Sequence, residues 1–218
     1  MMKPFKTHTA FFFDFDGVLA DSVEVKTRAF SKLFEKFGSE IQANVVAHHR
    51  NNGGMTRKDK FKYYYKHYLK KRLCGEALEA LCGEFADLVV ENVVSAPEIS
   101  GSERFLKKWH DLVKCFVVSA SPDAEIVEIT KRRGINHYFH EVLGSSRSKT
   151  DHVTLLIEKY NLNPDHCLFW GDAGSDYRAA IETGVGFIGI LPDSNAPLLK
   201  TAPDILWYND FSNLLTAD

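Results

Sequence analysis

The sequence predicts an α/β fold: a Rossmann-like parallel sheet core with an all-helical cap inserted after its first strand. Three observations lead there. Short apolar runs rich in β-branched and aromatic residues recur at 10–15, 113–118, 141–143, 167–170 and 186–190, and helix-like segments separate the later ones. Runs that are apolar on both faces and alternate with helices are what a parallel sheet covered on both sides requires. Between the first run and the second lie about a hundred residues, far more than a simple crossover needs, and no convincing strand occurs within 21–97.

The elements follow in order. After the first run, Asp21 or Ser22 can cap a helix whose apolar stripe runs through Val25, Ala29, Phe30, Leu33, Phe34 and Phe37 before Gly38 stops it. The stretch 57–72 carries Arg57, Lys58, Lys60, Lys62, Lys66, Lys70, Lys71 and Arg72 against only Asp59, interleaved with Tyr63, Tyr64, Tyr65 and Tyr68. Such a stripe could serve nucleic acid, but beyond Gly75 come Glu76, Glu79, Glu84, Asp87 and Glu91 with no Lys or Arg. An antiparallel helix hairpin would set the two faces side by side, so both stretches read as solvated helix faces. The expected division is residues 1–20 and 98–218 as the α/β core and 21–97 as the cap.

Composition narrows the function classes. A chain of 218 residues with 44% hydrophobic and 26% charged residues is ordinary for a globular protein. A net charge of −2 supplies no global field for nucleic acid or an anionic membrane, so the expected partner is a small molecule. Monomer and homodimer both stay open. Lys3 and Lys6 precede Phe11, Phe12 and Phe13, but Asp14 and Asp16 cut that apolar stretch short of a signal-peptide core, and no run approaches a membrane span. Of four cysteines, Cys115 and Cys167 lie inside apolar runs as buried free thiols would, and no CxxC pair exists for zinc. A reducing, cytoplasmic setting is expected.

In parallel sheets the ligand sits outside the carboxyl ends of the strands, which directs attention to residues just after each run. Asp14 and Asp16 end the first, two carboxylates at i and i+2 of an extended segment, with Gly17 free to turn behind them. Asp172 and Asp176 follow the fourth. Each motif alone also reads as an ordinary turn with solvated acids. Convergence of these acids demands a cation or raised pKa values, since two like charges about 4 Å apart repel by roughly 4 kcal/mol. Oxygen ligands without His or Cys favour a hard ion, and magnesium is the usual one beside phosphate. Ser119 ends the second run, where a hydroxyl and nearby N–H groups could hold a phosphoryl oxygen. Lys149 follows the third, where an ammonium could neutralise phosphoryl charge. Within the helical segment, the loop 50–57 offers Gly53 and Gly54 for close approach and Arg50 and Arg57 to fork onto an anionic or polyhydroxyl leaving group. The adjacent His48 and His49 do not face each other on a helix and read as structural.

All four core features occur just past successive strand ends, in one order along the chain. In that order the sequence resembles the haloacid dehalogenase superfamily: DFDGVLADS at 14–22 is similar to its first motif, VVSAS at 117–121 to its second, Lys149 to its third and GDAGSD at 171–176 to its fourth. The helical insert is similar to the family's type-1 cap. The resemblance implies a magnesium-dependent phosphatase in which Asp14 is transiently phosphorylated. Asp16 would serve as general acid and then base, with its pKa lifted toward neutrality. Ser119 and Lys149 would hold the phosphoryl group. Magnesium would be bound by Asp14, the Asp16 backbone carbonyl and Asp172, with Asp176 ligating through water or bracing. A phosphomutase similar to β-phosphoglucomutase, and a non-catalytic binding module on the same scaffold, are the alternatives.

Overall fold

The computed structural model describes Phe5 and residues 7–215. Its sheet has six parallel strands, β1 (Ala10–Phe13), β2 (Lys114–Val118), β3 (Glu141–Leu143), β4 (Cys167–Gly171), β5 (Gly186–Ile190) and β6 (Trp207–Tyr208), in the order β3-β2-β1-β4-β5-β6. The five expected runs coincide with β1 to β5. Sequence inspection does not reveal β6, because two partly buried residues pairing with Gly189 and Ile190 carry no periodicity of their own.

The order places β1 at the centre, with Phe13 opposite Val117 of β2 on one side and Trp170 of β4 on the other. Alternation then divides its phenylalanines between two cores. Phe12 stacks between Phe116 and Phe169, at ring centroid distances of 5.4 and 6.3 Å. Helices α7 (Lys149–Tyr160) and α8 (Gly174–Thr183) cover that face through Val153, Leu156, Ala179 and Ala180. Phe11 and Phe13 face the other way, against α5 (Ser102–Trp109), α6 (Asp123–Arg132) and the Trp170 ring.

Between β1 and β2 run α1 (Val23–Phe34), α2 (Ser39–Asn51), α3 (Arg57–His67) and α4 (Glu76–Ser95), with no strand among the described residues of 23–95. Gly38 breaks the chain after the first of these as expected, at φ +97°. Phe30, Phe34, Phe61, Tyr64 and Phe85 pack these helices together. The basic stretch is helical only to His67, and Lys70 beyond it adopts φ +54°. Lys58 pairs with Glu79 at 2.6 Å on the surface. Arg57 and Lys60, however, are buried, so the reading of the whole stretch as a solvated face fails for these two.

Helix α6 holds the insert to the sheet. Arg133, just past its end, donates to the carbonyls of Val93, Val94 and Ala96, satisfying the C-terminus of α4, while Arg132 forks onto Glu91 at 2.6 and 2.7 Å. All four cysteines are free, Cys115 and Cys167 being buried. Among the described residues no helix is long and apolar enough to cross a membrane.

Candidate active site

The central position of β1 brings three strand ends to one edge. Asp14 leaves β1 with its N–H donating to the Trp170 carbonyl at 2.9 Å, and its Oδ1 accepts the Phe15 N–H at 2.7 Å. Asp172 follows β4, and Asp176 lies in the first turn of α8, fully buried. Asp176 Oδ2 accepts the N–H groups of Asp172 and Ala173 at 3.2 and 3.0 Å, which fixes the turn. Lys149 opens α7 and is buried; its Nζ lies 2.5 Å from Asp176 Oδ1 and 2.9 Å from Asp14 Oδ1. Asp14, Asp172 and Asp176 each place a carboxylate oxygen within 4.8 Å of the others'. Gly17 permits this approach: at φ +79°, a Cβ there would meet Asp172 Oδ2 at 2.6 Å.

Charge is unbalanced in this cluster. Burial raises the Asp14 carboxyl to about 7, with Asp176 and Asp16 adding to the rise and Lys149 opposing it. Burial, then Asp14 and Asp176, push Asp172 well above the carboxylate range. Burial would pull Lys149 down, but Asp14 and Asp176 outweigh it and raise the amine. Three carboxylates against one ammonium, all donors being oxygen, is a set that suits a hard divalent cation.

Asp16 has a different environment. Its carboxylate accepts from Ser22 Oγ at 2.6 Å, from Ser121 Oγ at 3.3 Å and from Lys26, whose Nζ also donates to Ser121 Oγ at 2.8 Å. Burial alone would raise Asp16, yet Lys26 and Ser22 more than offset it and leave its pKa below the ordinary value. The expectation of a carboxyl lifted toward neutrality is therefore corrected for this conformation: a half-buried cation lies against it. Ser22 likewise does not cap α1, because its hydroxyl is spent on Asp16. Ser119 is buried with its Oγ accepting the Ser121 N–H at 3.1 Å, and Ala120 and Ser121 form the adjoining wall.

Asp14, Asp16, Lys26, Ser121 and Asp172 open into a cleft of about 950 Å³ between the strand ends and the helical insert. The loop 50–57 lines it, and Gly54 lies so near the first turn of α8 that a Cβ on it would fall 1.7 Å from Ser175 Oγ. Neither loop arginine has a free charge. Arg50 is exposed and pairs with Glu24 at 3.1 and 3.2 Å. Arg57 is buried, forked onto Glu125 of α6 with one arm at 2.6 Å, bonded to the Cys82 carbonyl at 3.2 Å and stacked 4.5 Å from the Phe85 ring centroid. Two lysines that sequence reasoning passed over line the cleft as well. Lys26 falls four residues before Phe30, on the apolar side of α1, and Lys60 is three residues past Arg57 on the same face of α3. A cation on a buried stripe was the signal available for both. His49, set aside as structural, accepts from Lys60 Nζ through Nδ1 at 2.8 Å.

Comparison with known proteins identifies the family. The sequence profile of the haloacid dehalogenase-like hydrolases matches residues 11–190. The chain belongs to that family. Within it the chain is a phosphatase, and its relatives bear this out. It is 26% identical over 216 residues to the phosphoglycolate phosphatase of Pasteurella multocida, covering 94% of this chain and 95% of that one. It is 24% identical over 223 residues to a phosphorylated carbohydrates phosphatase of Thermotoga maritima, covering 94% and 97%. The crystal structure of a predicted phosphoglycolate phosphatase from Haemophilus somnus shares the fold at TM-score 0.75, with 20% identity over 96% of this chain and 97% of that one.

Proposed function

We propose that this phosphatase is a magnesium-dependent phosphate monoester hydrolase that works through an aspartyl-phosphate on a small phosphorylated metabolite. The observation that carries the proposal is a buried carboxylate, Asp14, 2.9 Å from a buried ammonium, Lys149, within a carboxylate cluster whose oxygens lie inside 4.8 Å. An Asp14 carboxylate oxygen attacks phosphorus as the bond to the leaving oxygen breaks, and Asp16 protonates that oxygen. Asp16 then takes a proton from the water that splits the aspartyl-phosphate, releasing inorganic phosphate and restoring Asp14. Its hydrogen-bonded, ionised form in this conformation suits the second half of the cycle; the first half requires Lys26 to withdraw. Lys149 and the Ser119 hydroxyl hold the phosphoryl oxygens. The Asp14 and Asp172 carboxylates and the Asp16 backbone carbonyl would hold magnesium, which neutralises charge on the phosphoryl group when bound. Asp176, occupied by two backbone donors and Lys149, supports the cluster from behind.

In this reading residues 21–97 act as a cap over a core formed by 1–20 and 98–218. The relatives' names point to a phosphorylated acid or sugar as substrate. The test is phosphate release from a panel of monoesters with magnesium and with chelator, using Asp14→Asn as the blank. Release should need the metal and vanish in the variant. Undiminished release by Asp14→Asn, or in chelator, would refute the mechanism.

A further inference from the structure

Of the cations that line the cleft, half-buried Lys26 is engaged by Asp16 and buried Arg57 by Glu125. Lys60, also buried, has no carboxylate partner among the described residues. Its Nζ donates to His49 Nδ1 at 2.8 Å, reaches the Gly53 carbonyl at 3.4 Å and lies 5.6 Å from the Phe30 ring centroid, leaving a third N–H without an oxygen or nitrogen acceptor among the described residues. His49 is itself buried, against the Phe30 ring at 4.7 Å, and burial together with Lys60 pulls its pKa down to about 3. It is therefore a neutral acceptor that orients the ammonium without compensating its charge. Arg50 and Arg178, the other cations at this opening, are exposed, and Arg50 is paired with Glu24.

A buried ammonium with one unmatched donor, on the insert side of a cleft whose floor is the phosphoryl site, is a seat for an anion. We propose that Lys60, oriented by His49, binds a second anionic group, carboxylate or phosphate, on the leaving-group part of the substrate, and so selects monoesters that carry one. The inference rests on the phosphatase reading of the same cleft. Burial and Lys26 lower the Lys60 amine to about 7 against the opposing pull of Asp16, Asp172 and Asp14.

The experiment compares matched substrates in wild type and Lys60→Met, with magnesium present. Phosphoglycolate against its neutral amide reads a carboxylate; a sugar bisphosphate against the monophosphate of the same sugar reads a phosphate. Wild type should prefer the more anionic member of one pair in kcat/KM by about ten- to a hundredfold, the worth of one charge-assisted hydrogen bond. Lys60→Met should erase that preference while hydrolysis of the neutral member and of p-nitrophenyl phosphate stays within about threefold. Arg178→Ala should leave the preference intact. A preference that survives Lys60→Met, that disappears in Arg178→Ala, or that wild type lacks for both pairs overturns the inference while leaving the phosphatase reading in place. No phosphate release from any monoester sinks that reading and this inference together. If Lys60→Met does not fold, Lys60→Gln, which keeps a donor for His49, carries the same comparison.

Discussion

Replacing Arg57 tests whether it works as a clasp between the helical insert and the core rather than as a free substrate ligand. Its side chain is 7% exposed and that of Glu125 19%, and the two meet through a bidentate fork. Removing one partner of a buried, hydrogen-bonded ion pair costs about 3–5 kcal/mol, because the other is left desolvated and alone. The residual exposure of Glu125 lets water recover part of that loss, so Arg57→Ala should destabilise by about 3 kcal/mol. Contact with the Phe85 ring adds about 0.5–1 kcal/mol. Arg50 provides the contrast. It and Glu24 are 55% and 56% exposed, so Arg50→Ala should cost less than about 1 kcal/mol. Equilibrium urea unfolding measures both, with the midpoint converted at constant m. In Arg57→Ala/Glu125→Ala the orphaned carboxylate is gone, and a double-mutant cycle should give a coupling of about 2 kcal/mol. An Arg57→Ala protein within about 0.5 kcal/mol of wild type, or no more destabilised than Arg50→Ala, would refute the reasoning.

Three further outcomes are expected. In chelator, the raised pKa of Asp14 means that the folded protein keeps a proton the unfolded chain has lost between about pH 4 and 7, so stability should fall as pH rises through that window; thermal unfolding across it should show a shallower decline in Asp14→Asn, and an unchanged slope counts against the assignment. Gly54→Ala puts a Cβ 1.7 Å from Ser175 Oγ and 2.7 Å from Ser175 Cβ, which should lower stability by about 1–3 kcal/mol. Placing it on a Ser175→Ala background removes the hydroxyl clash and should restore part of the loss; no recovery would mean that the loop does not sit against this turn. Lys26→Met removes the strongest influence opposing burial at Asp16 and leaves only Ser22 and Lys149 against it, so the Asp16 pKa should rise and the limb of the pH–rate profile that reports it should move to higher pH. A limb that stays in place would show that Lys26 does not set this group.

How much was legible in the sequence follows from what each feature depends on. The central strands were readable because a strand covered on both faces must be apolar throughout, a property of consecutive residues, while the partly buried edge strand β3 showed only as a short apolar run after Glu141. The positions of Asp14, Ser119, Lys149 and Asp172 followed from strand ends, since the chain leaves a parallel sheet at the edge where ligands bind. Gly17 and Gly38 marked turns through their own backbone freedom. The two-residue β6 lacked any such local signal, because its pairing with Gly189 and Ile190 is decided by the sheet already formed.

The sequence by itself therefore determined the α/β class, the helical insert and the acidic strand ends, all set by local pattern and chain order. Only the tertiary structure decided how the cations are shared out. Arg57 and Lys60 lie three residues apart in one basic stretch, yet the first meets a carboxylate from α6 and the second meets a neutral imidazole, a backbone carbonyl and the Phe30 ring. Asp16 is likewise held ionised by a lysine ten residues away that pattern alone assigns no role. Whether a charge is solvated, paired or left waiting depends on which surfaces fold against it, because desolvation and Coulomb energy belong to the packed neighbourhood and not to the residue.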